Sequence, residues 1–332
     1  MRKIKIAQIG VNTNSHSNEI FGSLKKQNNI FEIVGYVLPE NEKERISHKA
    51  KVLEEYDQLT LDEVLNNPEI EAVTVETDEI YLTKYALMSA KAGKHIHMEK
   101  PGGIEFADFE ELIRIMKKTG KVFHIGYMYR YNPYVMDLLD RVKGGELGEI
   151  ISVEAQMNCY HPKNVREWLQ DFPGGMMFFL GCHLVDLILS LQGKPEKVIP
   201  YNKCTGFENV ASKDFGMILF EYKNGISFAK TSAVELGGFE RRQLVVTGTK
   251  GSIELKPLEW YVADSSRMQT YRSIRTSSEW GKKGEENVCP PYDRYASMMK
   301  SFAEYVCGDK ENPYTLDYEL ELYKTLLKAC GE

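Results

Sequence analysis

The sequence lacks the features that mark secreted, membrane-spanning and nucleic-acid-binding chains. Its longest apolar run, residues 176–189, is short and contains His183 and Asp186, whereas a bilayer-spanning helix needs about 20 apolar residues. The net charge is −6 over 332 residues, so no basic surface is expected for nucleic acid or for an anionic membrane. A strand-like run, Ile4–Ile9, begins almost at once, and we therefore expect no signal peptide.

Paired cysteines are also missing. The six cysteines are scattered and form no CxxC pair, which argues against a disulfide framework and against a zinc knuckle. We therefore predict reduced thiols in a cytoplasmic protein without a metal site. The length favours two domains rather than one core, and there are no repeats or low-complexity linkers.

The first third of the chain alternates strand and helix patterns. Strand-like runs occupy residues 4–9, 32–38, 70–75, 95–98 and 122–127. Helical stripes lie between them, as in Phe109, Leu112 and Met116, which precede Gly120. Strands joined by helices favour right-handed crossovers and a parallel sheet. We predict an α/β fold in which residues 1–126 form a Rossmann-like, doubly wound domain.

Beyond residue 126 the pattern changes to strands joined by hairpins. Strands are predicted at residues 149–158, 214–222, 226–234, 241–247 and 252–255, and helices at 294–306 and 316–328. This pattern predicts an α+β domain over residues 127–332 with a large, mostly antiparallel, open-faced sheet. The polar segment 265–287 is expected to be a mobile loop.

Lys100 follows the fourth strand-like run, at the sheet edge where open α/β folds bind ligands. Pro101 disfavours a helical backbone at Lys100 and favours an extended one, which would point the ammonium at the crevice. The alternative is a solvated loop lysine.

The turn after the first strand has the context of a dinucleotide fingerprint but few of its glycines. Gly10, Asn12 and Ser15 fill the three positions of GxGxxG. Small polar residues still let backbone N–H groups and the helix N-terminus meet a pyrophosphate. Alternatively, residues 12–17 are ordinary turn and helix-capping residues.

The sequence does not decide between NAD and NADP. The position that normally binds the adenosine ribose through a carboxylate is Leu38. Glu40 is a candidate substitute, while Lys43 and Arg45 are candidates to face a 2′-phosphate.

A second candidate site is the helix that follows Gly174 and Gly175. His183 and Asp186 lie three residues apart and share one helix face. A histidine there is suited to general acid–base chemistry because its ordinary pKa is near neutrality. The alternative is a hydrogen-bonded core histidine with Asp186 as its partner or as a cap.

The chain resembles the Gfo/Idh/MocA oxidoreductases, the glucose-fructose oxidoreductase and inositol dehydrogenase-like family. The matching segments are AGKH at 92–95, EKP at 99–101, RYNP at 130–133, GELG at 145–148, GG at 174–175, GCHLVD at 181–186 and GTKG at 248–251. The resemblance implies reversible hydride transfer between NAD or NADP and a hydroxyl or carbonyl carbon of a sugar, polyol or inositol-like substrate. It also implies a homodimer or homotetramer formed through the C-terminal sheet.

The family roles map onto particular residues. Lys100 and His183 are the expected catalytic residues. The predicted cofactor-binding residues are Gly10, Val11, Asn12, Asn14, Ser15, Leu38, Glu76, Thr77, Glu99 and Lys100. The predicted substrate-binding residues are Lys100, Tyr129, Arg130, Tyr131, Asn132, Arg166, Trp168, Phe179 and His183. Arg166 offers a planar fork and Trp168 a stacking surface for a sugar ring; the alternative is that both belong to a loop packed on the domain surface.

Two departures separate this chain from the family pattern. Phe179 stands where the family commonly has an aspartate on the histidine's helix face. Candidates to replace that carboxylate are Tyr129, Tyr160, His161 and Asp171. After the third strand, the run Glu76-Thr77-Asp78-Glu79 replaces a threonine-proline-asparagine-histidine run, which puts carboxylates on the ribose, on the substrate or in solvent.

These departures leave three functions open. The chain is a working dehydrogenase or reductase, a redox-neutral sugar-modifying enzyme that oxidises its substrate transiently, or a non-catalytic nucleotide- or sugar-binding sensor.

Overall fold

The structure is a computed structural model that describes residues 2–262 and 264–331. Residue contacts divide the chain into two compact units. The first unit comprises Met1–Tyr127 with Tyr295–Tyr323, and the second comprises Met128–Arg294 with Lys324–Glu332.

The first unit is built on a parallel sheet. Its main elements in chain order are β1 (Ile4–Ile9), α1 (Ser17–Lys26), β2 (Phe31–Val37), α2 (Glu42–Arg45), α3 (Ser47–Ala50), α4 (Leu61–Asn66), β3 (Ala72–Val75), α5 (Leu82–Lys91), β4 (His95–Met98), α6 (Phe106–Thr119) and β5 (Phe123–Ile125). The strand order is β2-β1-β3-β4-β5, and every neighbouring pair is parallel. The predicted Rossmann-like sheet is confirmed.

Apolar runs explain these elements. Ile4, Ile6 and Ile9 of β1 are fully buried, as expected for a strand of a parallel sheet that is covered on both faces. On α6, Leu112 and Met116 belong to the buried stripe, and the helix ends at Gly120 with a φ of +64°. This φ is accessible to glycine at little cost, so the residue terminates the helix.

Gly10 fixes how closely the end of β1 approaches the loop after β3. Its φ is +87°, and a Cβ atom at this position would lie 2.4 Å from Cγ2 of Thr77. Only glycine therefore fits here. The contact brings the buried Thr77 against the predicted fingerprint loop.

The second unit is built on a larger, mostly antiparallel sheet. Its main elements are α7 (Pro133–Lys143), β6 (Ile150–Asn158), α8 (Lys163–Trp168), α9 (Cys182–Gln192), β7 (Lys197–Lys203), β8 (Phe215–Tyr222), β9 (Gly225–Ser232), β10 (Gln243–Gly248), β11 (Gly251–Leu255), β12 (Trp260–Val262), β13 (Asp264–Gln269), β14 (Tyr271–Arg275), β15 (Glu285–Val288) and β16 (Tyr292–Asp293). The large sheet has the order β15-β14-β11-β10-β6-β9-β8-β7, with β6 and β9 parallel and the other pairs antiparallel. A smaller sheet has the order β12-β13-β16. The predicted large, mostly antiparallel sheet is confirmed.

The expectation of a mobile loop over residues 265–287 is wrong. Much of this segment lies in β13, β14 and the start of β15. β14 pairs with β11 and β15 in the large sheet, and its side chains are exposed or half-buried. A polar strand near a sheet edge is stabilised by backbone pairing rather than by apolar burial, so periodicity gives little indication of it.

Two helices follow, α10 (Ala296–Cys307) and α11 (Leu316–Cys330). Across residues 2–262 and 264–331, no helix combines the length and the apolar character needed to cross a membrane.

Candidate functional site

The loop after β1, in the first unit, is held by carboxyl groups from elsewhere in that unit. The Val11 N–H donates to Oε2 of Glu42 at 3.0 Å, and the Thr13 N–H donates to Oδ1 of Asp78 at 2.7 Å. Backbone N–H groups at this point of the fold commonly bind the phosphates of a dinucleotide. The loop is therefore suited to anions, and the chain's own side chains bind it.

Asn12, at the second glycine position of the fingerprint, is fully buried. Its Oδ1 accepts a hydrogen bond from the Ser15 N–H at 2.9 Å and lies 3.3 Å from Nζ of Lys49. Its Nδ2 has no hydrogen-bond partner among the described residues. Because a buried donor without an acceptor is costly, this amide group fits a ligand that brings an oxygen atom, such as a phosphate. Asn14 is half-buried on the same loop.

Three buried carboxyl groups lie on the loops that follow β3 and β4. Glu76 and Glu79 are fully buried and Glu99 is 3% exposed, so the alternative of solvated carboxylates is wrong for Glu76 and Glu79. Burial raises the pKa of Glu79 to about 7 and raises the pKa of Glu76 well above its usual range. Each has at least one carboxyl oxygen without a hydrogen-bond partner among the described residues. Such oxygens fit the hydroxyl groups of a ribose.

Lys100 is also buried. It follows β4, is 3% exposed, and its Nζ lies 3.6 Å from Oε1 of Glu99. The alternative of a solvated loop lysine is therefore wrong. A buried ammonium beside a carboxylate is held in one position, which suits a group that acts on a ligand.

A polar chain that the sequence analysis missed runs beneath these carboxyl groups. Nδ1 of His97 on β4 lies 2.7 Å from Nδ1 of His124 on β5, and Nε2 of His97 lies 3.6 Å from Oε1 of Glu76. Burial lowers the pKa of His97 to about 3, so the ring is neutral at physiological pH. His97 and His124 are register partners in the parallel sheet. The pair could be found only once the strand pairing was known.

Leu38 and Glu40, the predicted ribose-binding positions after β2, contact other residues of the first unit. Leu38 packs against the core cluster that includes Val11. Oε1 of Glu40 accepts a hydrogen bond from the Tyr85 hydroxyl at 2.7 Å. Glu42 reaches the loop instead, and burial raises its pKa to about 8. The sequence analysis missed Glu42 because it is two residues farther along the chain than the candidate we considered.

In the second unit, His183 lies near the start of α9, directly after a π-helical turn over Met177–Gly181. The imidazole is 2% exposed, and its ring centroid lies 5.2 Å from that of Tyr129, with the planes at 88°. π-Helical turns inside helices occur frequently at functional sites. With this ring geometry, Tyr129 packs edge to face against His183 and restricts the orientation of the imidazole.

Asp186 is the partner of Arg130. Nη2 of Arg130 donates to Oδ1 of Asp186 at 2.8 Å, and its Nε donates to Oδ2 at 2.9 Å. Both residues are buried. This bidentate ion pair fixes the orientation of both side chains. Arg130 is thus a structural partner of the aspartate in the GCHLVD segment.

Tyr129 links His183 to a buried charge network. Its hydroxyl donates to Glu259, which also binds Arg242 and Arg294. Burial alone would raise the pKa of Glu259, but the two guanidinium groups bring it below its usual value. The network gives Tyr129 one fixed position beside the imidazole.

Phe179 is a packing residue. It is 5% exposed, and its ring meets that of Trp168 edge to face with centroids 4.9 Å apart. The ring centroids of His161 and Phe179 are 6.2 Å apart. Burial lowers the pKa of His161 to about 4. The position of the family aspartate is thus part of an aromatic cluster. Of the other candidate replacements, Tyr160 and Asp171 are exposed.

Three further predicted substrate residues lie within the second unit. Arg166 lies on α8, is fully buried, and donates to the Phe207 carbonyl at 2.8 Å and to Glu208. Asn132 caps α7 through Oδ1 and donates through Nδ2 to the Tyr292 hydroxyl at 2.7 Å. Tyr131 is buried. Their roles toward a substrate remain predictions.

Within the described ranges, no group of three or more histidine, cysteine, aspartate or glutamate residues is arranged to hold a metal ion.

A parallel sheet with a ligand-suited loop at its carboxyl edge, and a second unit with a large antiparallel sheet, define a two-part chain of the Rossmann class. The chain belongs to the Gfo/Idh/MocA family. Residues 4–127 match the model described as an oxidoreductase family with an NAD-binding Rossmann fold, and residues 135–254 match the family's C-terminal domain. The resemblance seen in the sequence is confirmed.

Two curated relatives are similar over part of their length. The uncharacterized oxidoreductase YhhX of Escherichia coli (strain K12) is 33% identical over 195 residues, which cover 58% of this chain and 54% of the relative. The scyllo-inositol 2-dehydrogenase (NADP(+)) IolW of Bacillus subtilis (strain 168) is 27% identical over 180 residues, covering 54% of this chain and 48% of the relative. Each match thus spans about half of the relative.

Among solved structures, the aldose-aldose oxidoreductase from Caulobacter crescentus complexed with glycerol has a TM-score of 0.79. The alignment covers 99% of this chain and 98% of that structure at 19% identity. At this identity the likeness establishes the fold alone.

Proposed function

We propose that this chain is an NAD(P)-dependent oxidoreductase that transfers hydride between nicotinamide and a hydroxyl or carbonyl carbon of a sugar, polyol or inositol-like substrate. The observation that carries the proposal is the buried Lys100–Glu99 pair at the carboxyl end of β4, in a unit matched by an NAD-binding family model. The similarity to IolW supports the substrate class.

The proposal divides the work between the predicted domains. Residues 1–126 bind the dinucleotide, and residues 127–332 bind the substrate and form a homodimer or homotetramer through the large sheet. We further propose that the protein works in the cytoplasm.

The residues around the loop after β1 fit a dinucleotide in several respects. Asn12 offers a buried amide donor without a partner among the described residues, and Glu76 and Glu99 offer carboxyl oxygens. A donor suits a phosphate oxygen, and the acceptors suit ribose hydroxyls. When bound, the nicotinamide supplies the hydride acceptor or donor.

The protein's contribution is charge and proton transfer. In alcohol oxidation, the carbon-bound hydrogen leaves with two electrons to oxidised nicotinamide and the hydroxyl proton leaves to a base, so that a carbonyl forms. We assign the base to His183. We assign Lys100 to stabilising the negative charge that develops on the oxygen.

The absence of the family aspartate shapes this assignment. Phe179 cannot orient an imidazole or accept its proton. The orientation of His183 then depends on packing against Tyr129, whose hydroxyl is held by Glu259. This arrangement supports a histidine that acts without the family's carboxylate partner.

The substitution Lys100→Met tests the proposal. It keeps the side chain's length and removes its charge, and we expect turnover to fall at least about a hundredfold. The measurement is the change in NADH or NADPH absorbance with a panel of sugars, polyols and inositols. Lys91→Met, at an exposed position on α5, is the matched control. Turnover of Lys100→Met close to that of the native chain would end the assignment.

The same screen separates the alternatives. Net formation or consumption of reduced dinucleotide supports the dehydrogenase. Product without net change in the dinucleotide indicates a redox-neutral enzyme. Tight ligand binding without turnover indicates a sensor.

A further inference from the structure

Asp78 binds two groups that favour an anion, the Thr13 N–H of the loop after β1 and the guanidinium of Arg45 on α2. Its Oδ1 accepts the Thr13 N–H at 2.7 Å, and its Oδ2 lies 2.6 Å from Nη1 of Arg45. Arg45 also donates to the Thr13 hydroxyl at 3.2 Å. The Asp78 side chain is 8% exposed and the Arg45 side chain is 40% exposed, so the carboxylate is buried while the guanidinium is partly open to solvent.

The two groups are those by which proteins hold phosphate. A backbone N–H just before a helix and a guanidinium both favour an anion with several oxygen acceptors. Asp78 presents one oxygen to each. The Val11 N–H is bound by Glu42 in the same way. A loop in the position of a phosphate-binding loop is therefore already bound by the chain's own carboxyl groups.

Asp78 is the acidic group in contact with the Thr13 N–H, and the buried carboxyl groups nearby hold their protons more readily than usual. Glu76, Glu79 and Glu99 lie on the same or the next loop, and burial raises the pKa of each. Lys49 and Lys100 are among the cations that face these groups. A dinucleotide brings two further negative charges on its phosphates. Like charges at short distance repel strongly in a buried setting, so Asp78 and an entering phosphate are not expected to share the loop.

We propose that Asp78 is an internal competitor for the dinucleotide phosphates, so that the dinucleotide binds only after the Asp78 carboxylate leaves Thr13 and Arg45. This inference rests on the proposed dinucleotide-dependent function. It makes Asp78 a residue that sets dinucleotide affinity, because each hydrogen bond that a phosphate forms here replaces one that the free chain already had.

The test compares Asp78→Asn and Asp78→Ala with the native chain. Dissociation constants for NADH and NADPH are measured by fluorescence titration. The asparagine side chain is uncharged but still offers an acceptor to the Thr13 N–H, whereas the alanine side chain offers none. We expect tighter binding in both, by about tenfold or more in Asp78→Ala and by less in Asp78→Asn. Asp62→Asn, at an exposed position on α4, is the control and leaves the constant unchanged.

A second comparison tests whether Asp78 changes dinucleotide affinity through the site that it shares with Arg45. Arg45→Gln removes the guanidinium that Asp78 and phosphate would both use, and we expect weaker dinucleotide binding. In the Arg45→Gln background, Asp78→Ala gains less affinity than in the native background, because the two residues act on one site. Inorganic pyrophosphate, added as a competitor, displaces NADH more effectively from Asp78→Ala than from Asp78→Asn.

The outcomes separate this inference from the proposed function. If the native chain and the Asp78 variants all fail to bind both dinucleotides, the proposed function is overturned. If the native chain binds and both Asp78 variants bind equally or more weakly, the proposed function stands and the competitor role is overturned. Thermal unfolding checks that the variants fold. If Asp78→Ala does not fold, the dissociation constants of the conservative variant Asp78→Asn decide between these outcomes.

Discussion

At the scale of single residues, burial controls the protonation of Glu79, and this has a measurable effect on stability. The folded chain holds the Glu79 proton up to about pH 7, whereas the ordinary pKa of the group is 4.5. Between these pH values the folded state binds more protons than the unfolded state, so the free energy of unfolding falls as pH rises. Glu79 alone contributes a slope of up to about 1.4 kcal/mol per pH unit. Glu42, with a pKa of about 8, extends the fall to higher pH.

We therefore expect Glu79→Gln to flatten this fall between about pH 5 and 7. The glutamine keeps an oxygen that can accept the hydrogen bond from Ser15 and carries no charge at any pH. Denaturant unfolding at fixed ionic strength, repeated across this pH range, makes the measurement. Glu44→Gln, at an exposed position on α2, is the control. An unchanged slope in Glu79→Gln would mean that Glu79 is ionised throughout.

The position of Lys100 could be predicted from the sequence, whereas the long-range contacts of the loop after β1 could not. Lys100 could be predicted at a sheet edge because a strand pattern and a proline bracket it. The partners of the fingerprint loop could not, because Glu42 and Asp78 are brought to Val11 and Thr13 by the fold. No short motif records such a pairing.

At the scale of elements, Phe179 lies in the π-helical turn before α9 and has a packing role. Its ring packs against Trp168, and it is buried. Phe179→Ala therefore leaves a cavity and is expected to cost about 3 kcal/mol or more of unfolding free energy, as measured by denaturant titration. Trp280→Ala, at a fully exposed aromatic residue, is expected to change it by less than about 0.5 kcal/mol.

The substitution Phe179→Asp restores the family's aspartate at this position. Phe179→Asp would bury an unpaired carboxylate within aromatic rings, which is costlier than a cavity. We expect lower stability than for Phe179→Ala and no gain in turnover. Higher turnover in a folded Phe179→Asp would contradict this account and would mean that only a missing carboxylate limits the chemistry.

Elements were predicted best where burial is continuous. The strands of the parallel sheet are apolar and covered, so their runs stand out, and His95–Met98 was predicted to the residue. β14 was missed because it carries Arg272 and Arg275 and is only half-buried. Its pairing with β11 depends on a partner distant in sequence.

At the scale of the whole molecule, the cysteines act as probes of unfolding. All six are thiols. Cys182, Cys289 and Cys330 are buried and belong to the second unit, as does the exposed Cys204, while the half-buried Cys307 belongs to the first. The distribution allows the opening of the second unit to be followed separately.

We expect a thiol reagent to label Cys204 rapidly in the native chain and the buried cysteines only as denaturant unfolds it. Their labelling follows the loss of circular dichroism if the second unit unfolds cooperatively. Cys204→Ser removes the fast phase and is the control. A reducing agent leaves the melting temperature unchanged, because thiols contribute no cross-link. A melting temperature that drops on reduction would instead mean that a disulfide constrains the chain, and rapid labelling of Cys182 without denaturant would mean that the core beneath His183 opens readily.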